Sequence, residues 1–304
     1  MRIVVTGGPE GQVLRSLVER GAAAGYDIVA LGRPKLDLVG DEQAVVRAVE
    51  QASPDVIVSA AAYTAVDEAE SEQDLAFAIN ARGAAAVAQA ADQLGVPIVH
   101  LSTDYVFDGL KTTPYTEDDV PRPKSVYGAS KLAGETAVLE AARGAVVVRT
   151  AWVYSPFDMN FVKTMLRLAA DREEVGVVAD QVGNPTSALD ISDGILAVAA
   201  NLLSSPSQKL RGVFHMTGDG EATWAEFTER IFAASAAIGG PAARVRPITT
   251  PEYPTPAARP ANSRLDSSKL ARIHGVRLPD WRCSIDEVVR RLVAERPVQQ
   301  GRAQ

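Results

Sequence analysis

Only one cysteine, Cys283, occurs in 304 residues, so an internal disulfide framework is excluded, and three scattered histidines form no ligand cluster for a metal. Basic residues are also in deficit: Lys and Arg total 31 against 38 Asp and Glu, for a formal charge of −7. That sign argues against nonspecific binding to nucleic acid or an anionic membrane, whose electrostatics need a basic face. No uninterrupted apolar run reaches the roughly 18 residues of a membrane-spanning helix. Met1 and Arg2 lead straight into Ile3-Val4-Val5, which leaves no room for a leader peptide, so a cytoplasmic protein is expected. What remains is ordinary for a globular chain, 46% hydrophobic and 23% charged, and long enough for one large or two modest domains.

The stretch from Ile98 to Glu135 holds the densest set of chemical groups. Tyr127 and Lys131 are four residues apart on a predicted helix, so a phenol and an ammonium project from one face. A neighbouring positive charge stabilises a phenolate and lowers its pKa, which fits Tyr127 as a proton donor. Upstream, the apolar run Ile98 to Leu101 reads as a buried strand that delivers Ser102, Thr103 and Asp104 to a sheet edge. Adjacent strand residues face opposite sides, so one of Ser102 and Thr103 faces a substrate ketone, and the sequence leaves open which. A hydroxyl, a phenol and a lysine are the parts of a carbonyl reductase.

A cofactor site is expected at the start of the chain. Gly8, Gly11, Gln12 and Val13 lie in a glycine-rich turn between a first strand and a helix, where backbone N–H groups and a helix N-terminus meet a pyrophosphate. The third glycine of the usual fingerprint is replaced by Val13 or Leu14. The second strand, Asp27 to Leu31, ends in Gly32-Arg33, with no carboxylate in place for ribose hydroxyls. Arg33 suits a 2′-phosphate, so NADPH is favoured over NADH, and Asp37 and Leu38 are further cofactor candidates. Small residues after the third strand let a flat cofactor lie close to the backbone, which points to Ala62, Tyr63 and Thr64.

Strands and helices alternate through the first half of the chain, which predicts an α/β fold with a Rossmann-like, doubly wound parallel sheet, and the looser second half is assigned to a smaller α/β substrate-binding domain. Residues 1–150 with about 186–220 are assigned to the dinucleotide-binding domain, and about 151–185 with 221–304 to the other. A helix is predicted from Asn80 to Leu94, closed at Gly95. Residues 239–263, rich in Pro and Ala, read as an extended substrate-side loop. A polar tail beyond Glu295 is expected to fray. Trp152, at a strand end, is either a stacking surface for a substrate ring or a core residue.

Several ordered motifs resemble the dTDP-4-dehydrorhamnose reductase family of the extended short-chain dehydrogenase/reductase superfamily. They are Ala60 to Asp67, Leu101 to Gly109, Tyr127 to Lys131, Arg149 to Ser155, Asp180 to Thr186 and Arg259 to Ser263. The resemblance implies reduction of the C4 ketone of dTDP-4-dehydro-β-L-rhamnose with NADPH or NADH. It makes Tyr127 the proton donor, has Lys131 lower the tyrosine pKa and bind the nicotinamide ribose, and places Thr103 against the ketone. It assigns Thr103, Asp104, Trp152, Gln181 and Arg259 to the dTDP-sugar, and Ser102 to the cofactor side. Some relatives hold a divalent metal such as Mg at a homodimer interface, but Arg15 and Ser16 fall where an acidic ligand is needed, so metal and dimer are unsupported by these residues. The alternatives are a nucleotide-sugar epimerase or dehydratase, against which Tyr105 stands where dehydratases carry Glu, and a noncatalytic NADP-binding regulatory subunit like that of methionine adenosyltransferase.

Overall fold

The computed structural model describes residues 1–295, and the tail expected to fray lies outside the described residues. Runs of branched aliphatic side chains form the strands β1 (Arg2–Thr6), β2 (Asp27–Leu31), β3 (Val56–Ser59), β4 (Ile98–Thr103) and β5 (Ala145–Thr150). With a further strand, Gly212–His215, they make a six-stranded sheet in the order Gly212–His215, β5, β4, β3, β1, β2. Every pairing is parallel. Strands buried on both faces explain why β3 and β5 read as continuous apolar runs rather than alternating ones. Because β1 lies between β2 and β3, the chain winds outward from it in both directions, and a crevice opens there at the carboxyl ends of the strands.

Helix α1 (Gln12–Ala23) packs Leu14 and Leu17 into the core on one side of the sheet, while α2 (Glu42–Gln51) and the alanine-rich helix Ala84–Leu94 fill the other. The latter ends at Gly95 in the left-handed conformation, φ 67°, as its sequence predicts. Its start differs from expectation. Ala78–Gly83 is a π-helical turn, held open because the Asn80 side chain bonds the Tyr63 backbone and Ser130 instead of facing solvent. Helix Val126–Ala141 begins at Ser125, whose Oγ accepts from Gly128 N at 3.1 Å. A Cβ at Gly128 would strike the Tyr105 carbonyl, and one at Gly134 the Asn80 carbonyl, so both glycines let this helix press against its neighbours.

A second core gathers Val162, Leu166, Phe227, Ile231 and Val288 around three two-stranded pieces. One of these corrects the loop predicted for 239–263: Arg244–Ile248 is a strand, parallel to Glu174–Val178. Val245 and Ile248 supply its inward contacts, and Pro247 is tolerated because the strand has a neighbour on one side only. Leu270, Val276 and Leu278 return to the first core, against Phe214 and Met216. Among the described residues, no helix is long and apolar enough to cross a membrane.

Candidate active site

Three strand ends share one crevice. Gly7-Gly8-Pro9 after β1, Gly32-Arg33 after β2 and Ala61 to Ala65 after β3 line a cleft of about 400 Å³. Close approach of the first two loops depends on Gly32, where a Cβ would meet the Gly7 carbonyl. Of the cofactor residues expected from sequence, Gly8, Arg33, Leu38, Ala62, Tyr63 and Thr64 line this cleft. Gly11 is the N-cap of α1, with no side chain across the helix N-terminus. Gln12 and Val13 are not lining residues: Gln12 Oε1 accepts from Ser155 Oγ at 2.9 Å, and Val13 packs on the first core. The missing third glycine also has an account. Leu14 is buried there, its Cδ1 3.6 Å from where a Gly7 Cβ would stand, so an aliphatic side chain fills the space beneath the loop. Arg33 is exposed and pairs with Asp37 at 3.4 Å, and Asp37 also accepts from Val39 N. Among the described residues, no three His, Cys, Asp or Glu side chains are grouped to hold a metal ion.

The hydroxyls of Ser102 and Thr103 diverge, as strand geometry requires. Ser102 Oγ donates to Glu135 Oε1 at 2.5 Å, and Arg149 clamps the same carboxylate through Nε at 2.8 Å and Nη2 at 2.6 Å. Both members of this ion pair are buried. Thr103, which faces Thr150 in the β4–β5 register, donates to Asp104 Oδ1 at 3.0 Å and accepts from Tyr105 N at 3.2 Å. Lys131 is buried and its Nζ donates to the Leu101 carbonyl at 2.7 Å, which ties its helix to the end of β4. Tyr127, half-buried one turn earlier, meets Tyr105 edge-on at 5.7 Å.

Burial pushes the Tyr127 phenol up to about 12, with the Thr103 side chain opposing and the Asp104 charge reinforcing the rise. The direction is the reverse of the lowering expected from Lys131. The ammonium is turned toward the Leu101 carbonyl, and burial brings Lys131 itself down to about 8 against the pull of Glu135. A phenol raised in this way holds its proton at neutral pH, as an acid awaiting an alkoxide must. Burial likewise pushes the Asp104 carboxyl up to about 6, opposed by Ser263 and Thr103. Ser263 lies close enough to the carboxyl to oppose that rise, yet Oδ2 has no hydrogen-bond partner and is an orphaned buried acceptor.

The other residues assigned to the sugar are already engaged. Trp152 has φ 47°, a left-handed conformation rare outside glycine, and stacks on Trp224 at 3.5 Å and 6°. That covers one ring face, and Gly183 packs so closely that a Cβ would strike the indole. Gln181 Nε2 donates to Thr250 Oγ1 at 3.0 Å. Arg259 forms a bidentate pair with Asp67, at 3.0 and 2.8 Å. Sequence reading missed Asn80, Glu135 and Trp224. The readable signals were a polar residue inside an alanine-rich run, and a carboxylate on the lysine face together with an arginine ending Val146-Val147-Val148.

The model of a family described as the RmlD substrate binding domain matches residues 1–294. A dTDP-4-dehydrorhamnose reductase of Sinorhizobium fredii (strain NBRC 101917 / NGR234) is 52% identical over 293 residues, covering 96% of this chain and 97% of its own. Among solved structures, a dTDP-4-dehydrorhamnose reductase from Clostridium acetobutylicum ATCC 824 superposes with a TM-score of 0.88 at 36% identity, covering 95% of this chain and 99% of the other. One from Bacillus anthracis str. Ames, in complex with NADP, gives 0.86 at 37% identity, covering 94% and 98%. The likeness runs through both cores and the crevice alike, and the chain belongs to the RmlD substrate binding domain family, that of the dTDP-4-dehydrorhamnose reductases.

Proposed function

We propose that the chain reduces the C4 ketone of dTDP-4-dehydro-β-L-rhamnose to dTDP-L-rhamnose, with Tyr127 as proton donor and NADPH as the reductant. The observation that carries this reading is the Lys131–Leu101 bond, which brings the helical turn bearing Tyr127 to the strand end that bears Thr103. The crevice suits a dinucleotide, since Gly8 leaves open space where a side chain would stand and the α1 N-terminus is uncapped by any side chain. When bound, NADPH supplies the hydride. Arg33 would meet a 2′-phosphate, Ala62 to Thr64 would lie along the cofactor in the same cleft, and the Lys131 ammonium would hold the ribose.

As the sugar C4 accepts the hydride, the carbonyl π pair moves onto oxygen and Tyr127 gives that oxygen its phenolic proton. Solvent then restores the tyrosine. Thr103 orients the ketone by turning its hydroxyl proton from Asp104 Oδ1 to the carbonyl oxygen, and the orphaned Asp104 Oδ2 accepts a sugar hydroxyl, which removes the cost of an unpartnered buried acceptor. The substrate is a nucleotide sugar in the cytoplasm, where reduced cofactor is available, and the net charge of −7 supports a reaction without nucleic acid or membrane. Purified protein mixed with the keto sugar should oxidise NADPH, followed by absorbance. Tyr127→Phe should lower kcat by about 10²–10⁴, the usual worth of a positioned acid. Absence of turnover by the wild type with NADPH and with NADH would sink the reading.

A further inference from the structure

His100 is fully buried in the middle of the sheet, on a strand otherwise apolar until Ser102. Its ring meets two polar groups. Nδ1 is 3.0 Å from Ser59 Oγ on β3, and Nε2 is 3.5 Å from Lys131 Nζ. A neutral imidazole has one N–H and one lone pair, while an ammonium has three protons and no acceptor. The nitrogen that faces Lys131 is therefore the lone pair, and Nδ1 carries the proton toward Ser59. Burial, with the Lys131 charge added, holds the imidazole well below its ordinary pKa and keeps it neutral. A second proton of the ammonium goes to the Leu101 carbonyl at 2.7 Å. Consecutive residues of β4 thus offer Lys131 two buried acceptors.

Resting on the reading of Lys131 given above, we propose that His100 is a positioning residue for the reduction: its Nε2 lone pair takes one ammonium proton of Lys131 and leaves the third for the cleft. The contact is long at 3.5 Å, and hydrogen bonds of this kind shorten as reacting groups engage. The groups that face the ammonium are His100 and the Leu101 carbonyl from β4 and the Glu135 charge from its own helix, while Asp104 acts on Tyr127. Arg149 from β5 stands behind Glu135 and shares its charge. With that carboxylate shared, a neutral acceptor is what helps keep Lys131 protonated against burial. Loss of the His100 lone pair therefore moves the lysine titration to lower pH.

The test has two arms. Histidine 15N–1H correlation spectra are tractable with three histidines in the chain, and they should show His100 neutral, with Nδ1 protonated and Nε2 bare. Protonated Nε2 would overturn the proposal without reference to turnover. In the second arm, NADPH affinity is measured by cofactor fluorescence from pH 6 to 10. His100→Gln, whose amide oxygen replaces Nε2, should stay near wild type, whereas His100→Asn, which keeps only the Ser59 side, should lose about tenfold, as for one hydrogen bond to a charged group. The basic limb of the His100→Asn profile should also move to lower pH. Equal losses in the two variants with unmoved limbs would mean that His100 merely packs. Failure of the wild type to reduce the keto sugar while these differences hold would count against the substrate assignment and not against His100.

Discussion

Asp104 is 3% exposed, and its carboxyl, pushed up by burial to about 6, is ionised at neutral pH with one oxygen unpartnered. In the unfolded chain the same group titrates near about 4. A folded pKa above the unfolded one contributes stability that is fully present below the unfolded value and lost as pH rises through the folded value. Replacing the carboxylate with a group that cannot ionise therefore helps only at higher pH. Asp104→Asn should raise unfolding free energy at pH 8 by at most about 3 kcal/mol, the linkage limit for a shift of about two units, and leave it nearly unchanged at pH 4. Urea titrations at the two pH values check this, and equal gains at both would contradict it. The same variant should raise KM for the keto sugar, because the orphaned oxygen is read as the acceptor of a sugar hydroxyl. Arg33, by contrast, is exposed and its pairing with Asp37 is weak, so its loss should cost little stability and tests the proposed 2′-phosphate contact alone. Arg33→Ala should raise KM for NADPH by about tenfold with little change for NADH, the loss of one charge-assisted contact. A parallel loss with both cofactors would remove the 2′-phosphate from its role.

Helix Val126–Ala141 carries the proposed acid and lysine at its start, and one turn beyond Lys131 it is fastened by the buried Glu135–Arg149 pair. Removing one partner leaves a buried charge uncompensated, at about 3–5 kcal/mol, whereas replacing both with apolar groups of similar volume is often neutral or stabilising. Glu135→Met should therefore destabilise strongly, and Glu135→Met with Arg149→Met should recover most of the loss in thermal unfolding. Activity should recover less than stability, since the double variant still lacks the carboxylate that anchors Ser102 and favours the Lys131 ammonium. Much of this element was legible beforehand: the Tyr127–Lys131 spacing and the strand before it follow from periodicity and apolar runs alone. What the sequence could not convey was the direction of side chains within a short stretch. Ser102 and Thr103 are equivalent as text, and only the carboxylate one turn past Lys131 decides where the serine hydroxyl goes. Likewise a π-helical turn differs from an α-helix by one residue per turn, a difference that the side-chain bonds of Asn80 impose and helix propensity does not encode.

At the scale of the molecule, local periodicity announces the parallel sheet and its strands, because apolar runs such as β3 and β5 are buried on both faces. The second core is less readable, since its strands are short and pair across long sequence distances, as Arg244–Ile248 does with Glu174–Val178. For the same reason Arg259, read as a ligand for the substrate, turns out to have a partner about two hundred residues away. Its bidentate bond to Asp67 and the bond from Ala257 N to the same carboxylate strap the 249–263 segment to the residues that follow the cofactor cleft. Arg291 forms a matching fork with Glu19 on α1, at 2.8 Å in both arms. The two ties differ in what they span. Arg291–Glu19 joins helix Trp281–Ala294 to α1, and its loss should cost stability with kinetics preserved. Arg259–Asp67 lies beside Tyr105, which meets Tyr127, so its loss should act on the sugar side of the reaction. The Arg259 guanidinium holds the Asp67 carboxyl below its usual range, so the strap persists at neutral pH and weakens only as pH falls through that lowered value. Arg259→Met should therefore make the chain between Tyr253 and Ala261 more sensitive to protease at pH 7, and raise KM for the nucleotide sugar by about tenfold while KM for NADPH stays within about twofold, the loss of one charged contact on one ligand. Equal rises for both substrates would mean that the strap organises the whole cleft, and no rise for either would reduce it to a surface ion pair.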